Sequence, residues 1–217
     1  MLEHLSLPET VRLTLRRRIL NAELPAGTRL IEAGLAGEYN VSRATIRQAL
    51  HALQAEGLVE ISPRRHSVVT RLSVEDATDI CHARSVLEAS AAQETVRVAP
   101  DSLFEALDET VGRMERAARV GDIAELVDTD IRFHTLIVTT CGRRRLLELW
   151  QTLDGQIGAL MRSTLDREQE DLADVVQWHR DLLEVLATRV PEEAAREVRH
   201  HYMANAPGWT RTGSPLS

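Results

Sequence analysis

Lysine is absent from this 217-residue chain, so all 26 of its basic residues are arginine, whose planar guanidinium suits phosphate and carboxylate partners. Aromatic residues make up only 3% of the chain. The apolar residues are mostly Leu, Ala, Val and Ile, which favours helices over a β-sandwich. Cysteine occurs twice, at Cys81 and Cys141, without a CxxC pattern. This excludes a disulfide framework and a thiolate zinc site.

Long hydrophobic runs are also missing, since none approaches the ~20 residues needed to span a bilayer. The N terminus lacks a charged-then-apolar signal pattern. We therefore expect a soluble, cytoplasmic protein without a membrane partner. The net charge of −7 is unevenly divided, because residues 1–72 carry ten arginines against seven acids and residues 73–217 carry sixteen against twenty-six. A slightly basic head on an acidic body is typical of a DNA-reading module joined to another function.

The sequence between residues 32 and 59 predicts a helix-turn-helix. A short helix from about Glu32 to Tyr39 precedes a second helix over Ser42–Glu56, and the hydroxyl of its first serine can cap the first turn. Gly57 then ends the second helix as its C′ residue. Four apolar residues at helical spacing form the face expected to pack on the preceding helix: Ile46, Ala49, Leu50 and Leu53.

The surrounding segments complete a winged helix-turn-helix over residues 1–72, with three helices and a small β-hairpin. A first helix is expected from about Leu7 to Ala22, and residues 24–30 are expected to form a turn. Short strands at residues 59–61 and 67–70 flank a wing loop. The predicted DNA contacts are in the second helix of the motif and in the wing: Ser42, Arg43, Thr45, Arg47, Arg64, Arg65 and His66. Alternatively, the helix arginines are ordinary solvated side chains.

The body is predicted to be an all-α antiparallel helical bundle over residues 73–206, so the fold class is mainly α. Helical periodicity begins at Val74, and no strand pattern follows it. Breaks in that periodicity predict six helices, at about residues 74–98, 101–120, 122–140, 143–164, 168–188 and 191–205. We expect residues 207–217, which are rich in Gly, Pro, Ser and Thr, to be disordered.

Four polar residues of the body could meet in the bundle interior: Asp130, His134, His179 and His201. The first two are four residues apart and share a core-facing side of one helix. One carboxylate and three imidazoles can hold a first-row divalent metal, with zinc favoured and Mn or Ni as alternatives. The same spacing also fits a structural Asp–His pair. His200 is a rival for His201, and His82 is a weaker one.

The head resembles the GntR family of bacterial transcription regulators through PAGTRL at residues 25–30, VSRATIRQAL at 41–50 and LQAEGLV at 53–59. The body resembles the FCD effector domain of the FadR subfamily through RSVLE at 84–88, DIRFH at 130–134, and later histidines in WHR at 178–180 and HY at 201–202. The resemblance implies a ligand-responsive DNA-binding transcription regulator and not an enzyme. We expect a repressor that works as a homodimer on a pseudo-palindromic double-stranded operator.

The resemblance further implies that the Asp-and-three-His set binds the metal and that the metal holds a small carboxylate effector. It places Arg84 towards the effector, whereas the alternative is a structural ion pair with Glu88. Two rival functions remain: a metal-dependent enzyme using the same four residues, and a metal-free regulator of an apolar ligand. The chain departs from the family pattern at Ala33, at Ala44-Thr45 and at His66, so a relative's operator cannot be transferred to it.

Overall fold

The structure is a computed structural model that describes residues 5–62, 66–168 and 172–205, without the side chains of residues 162–164, 166–168 and 205. The predicted tail at 207–217 and the wing residues Arg64 and Arg65 lie outside the described residues. The chain divides between Leu72 and Ser73 into two compact units. Each unit is described below by itself.

The first unit contains three helices and a three-stranded sheet. Its elements in chain order are α1 (Leu7–Leu20), β1 (Arg29–Leu30), α2 (Glu32–Glu38), α3 (Arg43–Ala55), β2 (Val59–Ile61) and β3 (Ser67–Val69). The sheet order is β1-β3-β2, and both pairings are antiparallel. The predicted winged helix-turn-helix is therefore confirmed. The strand β1 was not predicted, because residues 24–30 were read only as a turn.

Local chemistry sets the start and end of α3. The Ser42 hydroxyl accepts a hydrogen bond from the backbone N–H of Thr45 at 3.1 Å, as predicted for the N-cap. Gly57 has a φ of 70°, a left-handed conformation that glycine adopts at little cost after a helix. The predicted apolar face of α3 is buried, and α3 contacts the preceding helix α2, as expected, and also α1. Burial of each large aliphatic side chain contributes about 1.5–3 kcal/mol.

The second unit is helical throughout its described residues. Its helices are α4 (Val74–Val98), α5 (Asp101–Val120), α6 (Ile123–Thr140), α7 (Arg144–Gln151), α8 (Asp154–Glu168), α9 (Leu172–Ala187) and α10 (Pro191–Asn205). The described residues therefore contain seven body helices where six were predicted, because the expected helix at 143–164 is divided near Leu153. The mainly α fold class is confirmed.

The helix α4 is central to the second unit. Ser73 and Asp76 form a reciprocal capping box at its start, with the Asp76 carboxylate accepting from the Ser73 backbone N–H at 2.8 Å. The helix packs most extensively against α10 and also contacts α6, α7 and α8. Its inward face carries small apolar residues together with two fully buried charged residues, Arg84 and Glu88. Charged groups therefore lie at the centre of this unit.

Candidate functional site

The second unit brings together all four residues of the predicted metal site. Asp130 and His134 lie on α6, His179 lies on α9 and His201 lies on α10, and all four are buried. One ring nitrogen of each histidine lies within 4.8 Å of one nitrogen of each of the others. The carboxylate completes the group, since Asp130 Oδ1 lies 2.9 Å from His179 Nε2 and 3.8 Å from His134 Nε2.

The three imidazoles are already hydrogen-bonded outside this group. His134 Nδ1 donates to Glu88 Oε1 at 2.5 Å, and His179 Nδ1 donates to the Val175 carbonyl oxygen at 2.8 Å. His201 is bonded to the backbone of Trp178. His179 Nε2 is buried without a hydrogen-bond partner, because the ring proton is on Nδ1 and Nε2 presents only a lone pair to the Asp130 carboxylate 2.9 Å away. Such a buried, unsatisfied nitrogen beside a carboxylate fits a divalent metal ligand set.

The electrostatics of the cluster favour the ligating protonation state at Asp130 and at His201, whereas at His134 they favour the protonated ring. Burial raises the pKa of Asp130, but the three imidazoles, His179 foremost, outweigh burial and hold that pKa at about 2. Burial and the neighbouring histidines lower the pKa of His201 well below its ordinary value. Burial also lowers the pKa of His134, but the Glu88 carboxylate outweighs it and the net shift is upward. Asp130 is therefore a carboxylate and His201 is neutral near pH 7.

A cavity of about 50 Å³ adjoins the cluster. Its polar lining consists of Asp130, the three histidines and Tyr202. Its other lining residues are mainly apolar: Ile157, Met161, Leu165, Val175 and Trp178. A cavity of this size is large enough to hold a few water molecules or a small polar ligand.

The structure places Arg84 behind the cluster and not among the cavity-lining residues that it describes. Its Nη1 donates to Asp154 Oδ1 at 2.6 Å and its Nε to the Tyr202 hydroxyl at 3.3 Å, while its Nη2 is buried without a hydrogen bond. The guanidinium carbon lies 3.7 Å from the ring centroid of Trp150. The alternative to an effector contact is an ion pair between Arg84 and Glu88. In the structure Arg84 forms its ion pair with Asp154 instead.

The rival histidines lie elsewhere. His200 is exposed and contacts Glu197, one turn earlier on α10, at 3.4 Å. His82 is exposed on α4. Sequence reasoning missed the roles of Glu88, Trp150 and Tyr202, which surround the cluster. The one available signal was the four-residue spacing of Arg84 and Glu88, which puts both on one face of α4.

Three of the seven predicted DNA-binding residues line a groove of about 390 Å³ in the first unit: Arg43, Arg47 and His66. Its lining includes Arg43 and Arg47 from α3, Ala33 from α2 and His66 beside the wing. Glu32 holds Arg47 by two hydrogen bonds, from Nε at 2.9 Å and from Nη2 at 2.7 Å. Ser42 is exposed and Thr45 is half-buried at the N terminus of α3, and their hydroxyls are 2.9 Å apart.

A winged helix-turn-helix followed in the chain by a helical unit with a buried polar cluster is typical of one class, the DNA-binding transcription regulators. Residues 7–69 match the family described as bacterial regulatory proteins, gntR family, and residues 79–204 match the FCD domain. The chain therefore belongs to the gntR family and carries an FCD domain, as predicted. It is a DNA-binding transcription regulator, and the enzyme alternative is wrong because the family and the relatives are regulators.

The relatives agree with this assignment. The chain is 28% identical over 179 residues to the gluconate operon transcriptional repressor of Bacillus licheniformis, covering 81% of this chain and 73% of that protein. It is 23% identical over 194 residues to the HTH-type transcriptional repressor RspR of Escherichia coli strain K12, covering 86% of this chain and 82% of that protein. The solved structure of E. coli McbR/YncC has a TM-score of 0.81 with 19% identity, covering 96% of this chain and 99% of that chain. This last likeness concerns the fold alone.

No helix within the described ranges is long and apolar enough to cross a membrane.

Proposed function

We propose that this chain is a homodimeric repressor of the FadR subfamily whose helical unit binds a divalent metal, zinc most favourably, together with a small carboxylate effector. The observation that carries the proposal is the buried convergence of Asp130 with three imidazoles from three helices. Nitrogen and carboxylate ligands of this kind suit zinc, and also Mn or Ni. Two relatives, the gluconate operon repressor and RspR, are repressors, which supports repression as the direction of regulation.

The cavity supports a short aliphatic acid as the effector. A bound metal would offer an open coordination position to the carboxylate of the acid. The apolar residues around the cavity, such as Met161 and Trp178, suit a hydrocarbon tail. The small volume of the cavity favours acids of the size of acetate or propionate over a six-carbon sugar acid. The proposed effector therefore differs from gluconate, the six-carbon sugar acid in the name of the relative from Bacillus licheniformis.

The DNA-binding residues proposed here belong to α3 and to the wing. Arg43 and Arg47 are one helical turn apart and reach from the same side of α3. An arginine can bond guanine O6 and N7 together, so we assign Arg47 or Arg43 to a base edge. Ser42 and Thr45 are assigned to the DNA backbone. The wing residues Arg64, Arg65 and His66 are assigned to phosphates or the minor groove.

Regulation follows from a shift between two arrangements of the protein. An acid bound in the cavity can change operator affinity only if it binds one arrangement more tightly than the other. Coupling energies of this kind are typically about 1–3 kcal/mol, or roughly 5–150-fold in affinity. A homodimer would place two heads on the two halves of a pseudo-palindrome. The effector would then act on the spacing of the two heads.

Native mass spectrometry of protein purified without chelator tests the metal and the dimer together. We expect two chains with one metal ion each. An operator selected by this protein from random DNA then serves as the probe for acid titrations. Acetate or propionate should change operator affinity about fivefold or more in the metal-bound protein and not in the chelated protein. A chelated protein that keeps the full response would instead support the metal-free regulator.

His179→Ala tests the proposed ligand set, and His200→Ala is its matched control. The first variant removes one proposed ligand, whereas His200→Ala removes an exposed histidine of the neighbouring helix. We expect the first to lose both metal and acid response while keeping operator binding. The second should behave like the unmodified protein. Equal metal content in the two variants would contradict the proposed ligand set.

A further inference from the structure

Glu88 is a fully buried carboxylate that accepts hydrogen bonds from three different helices. Its Oε1 accepts from His134 Nδ1 on α6 at 2.5 Å. Its Oε2 accepts from Trp150 Nε1 on α7 at 3.0 Å and from the Tyr202 hydroxyl on α10 at 2.9 Å. A buried carboxylate is tolerated only when its oxygens are satisfied, and these three donors meet that condition. Glu88 is thus held in one position from three directions.

The contact with His134 determines which nitrogen of that ring is available. A carboxylate can only accept hydrogen bonds, so the proton of a neutral His134 must lie on Nδ1. Its Nε2 then presents a lone pair on the side of Asp130, 3.8 Å away. A carboxylate behind a ligating imidazole also raises the basicity of that ligand and fixes the orientation of its ring.

From this geometry, and resting on the metal site proposed above, we infer that Glu88 is the positioning residue of the metal centre. It does not contact the metal itself. It acts through His134 by setting the tautomer and the ring orientation of this ligand. The Tyr202 hydroxyl strengthens the arrangement, because it donates to Glu88 Oε2 at 2.9 Å and so fixes the second oxygen of the carboxylate.

Two other charged residues of α4, Arg84 and Glu94, have different partners and do not contact His134. Arg84 lies one turn earlier on α4, but it donates to Asp154 and Tyr202 and leaves Glu88 to the three other donors. Glu94 lies on the same helix, but it is bonded at the surface to Arg97 and Arg143. Within the described residues, His134 is the one histidine of the cluster with a carboxylate bonded to its outer nitrogen.

Glu88→Gln tests the inference with little change in volume. The protein's affinity for Zn²⁺ is measured by competition with a chromophoric chelator, and Co²⁺ spectra report the ligand geometry. We expect Glu88→Gln to lower Zn²⁺ affinity about 10–100-fold with one ion still bound per chain. Glu94→Gln removes a surface carboxylate from the same helix and should change affinity less than about threefold. Trp150→Phe removes one bond to Glu88 Oε2 but leaves the bond to His134, and should also have a small effect.

The outcomes separate the inference from the metal proposal. An unmodified protein that binds no Zn²⁺ would overturn both. Zn²⁺ binding with equal affinity in the unmodified protein and in Glu88→Gln would overturn only the positioning role. Thermal unfolding of each metal-free variant shows whether a lost affinity merely follows lost folding.

A second measurement needs no variant and therefore holds even if Glu88→Gln fails to fold. Long-range ¹H–¹⁵N NMR of the zinc-bound protein distinguishes the two nitrogens of each histidine ring. We expect His134 to carry its proton on Nδ1, shifted downfield and protected from exchange by Glu88, and to bind zinc through Nε2. A zinc-bound Nδ1 on His134 would contradict the inference.

Discussion

Asp154→Ala removes the carboxylate that neutralises the fully buried guanidinium of Arg84. The Arg84 side chain is 0% exposed and that of Asp154 is 20% exposed, with 2.6 Å between the bonded atoms. Arg84 also has one buried nitrogen without a hydrogen bond. Breaking a buried ion pair from one side costs about 3–5 kcal/mol, because the other charge stays buried. We expect about 3 kcal/mol, near the lower end of that range, since Tyr202 and the ring of Trp150 still contact the guanidinium.

Intrinsic fluorescence measures this loss in the helical unit specifically. All three tryptophans lie after residue 72, so urea or heat unfolding followed by tryptophan emission does not report on the head. A loss of 3 kcal/mol corresponds to a fall of roughly 6–12 °C in midpoint temperature for a unit of this size. Asp108→Ala, at an exposed position on α5, is the matched control and should stay within ~0.5 kcal/mol of the unmodified protein.

A double variant tests whether the loss comes from the unpaired charge. Arg84→Met replaces the guanidinium by a neutral side chain of similar length. In the Arg84→Met, Asp154→Ala double variant the loss should be smaller than the sum of the two single losses by about 1 kcal/mol or more. A loss in Asp154→Ala of less than about 0.5 kcal/mol, or strict additivity in the double variant, would refute the reasoning.

Three further predictions concern the DNA interface, the effector and pH. Arg47→Ala should weaken binding to the selected operator roughly 5–150-fold in gel-shift titrations, whereas Arg145→Ala, an exposed arginine on α7, should not; equal effects would indicate a non-specific loss of charge. Propionate should raise the midpoint temperature of the metal-bound protein and gluconate should not, so the reverse order would contradict the cavity argument. The third prediction compares the free energies of unfolding of the unmodified protein and of His201→Gln, both without metal. The difference in favour of the unmodified protein should shrink as the pH falls from 7.5 to 5.5. In this pH range His201 becomes protonated in the unfolded chain but stays neutral in the folded chain, which favours unfolding. A difference in unfolding free energy that does not change with pH would contradict the lowered pKa of His201.

The head was predictable because its signals are local. A serine cap, an apolar stripe and a terminating glycine stand within sixteen residues of one another, and each acts on its own helix. The strand β1 was missed because two residues carry no periodicity, and its pairing with β3 spans almost forty residues. The division between α7 and α8 was missed because neither Gly nor Pro occurs at Thr152-Leu153, so no local breaker marks it.

The candidate metal site was predictable only in part. His201 lies three residues after buried Val198 and seven after buried Ala194, so helical periodicity separates it from exposed His200. Glu88 could not be recognised in the same way. Its three donors come from positions 46, 62 and 114 residues away, and no local pattern reports such distant partners. A buried carboxylate and a surface carboxylate look alike in a sequence.

The capping box at the start of α4 has a consequence for how proteins of this architecture can be recombined. Both hydrogen bonds of the capping box are made between Ser73 and Asp76. Residues before Ser73 therefore contribute no hydrogen bond to this capping box. A chain cut or respliced just before Ser73 keeps that cap intact. A different sequence in front of Ser73 would therefore leave the N-cap of this helix unchanged.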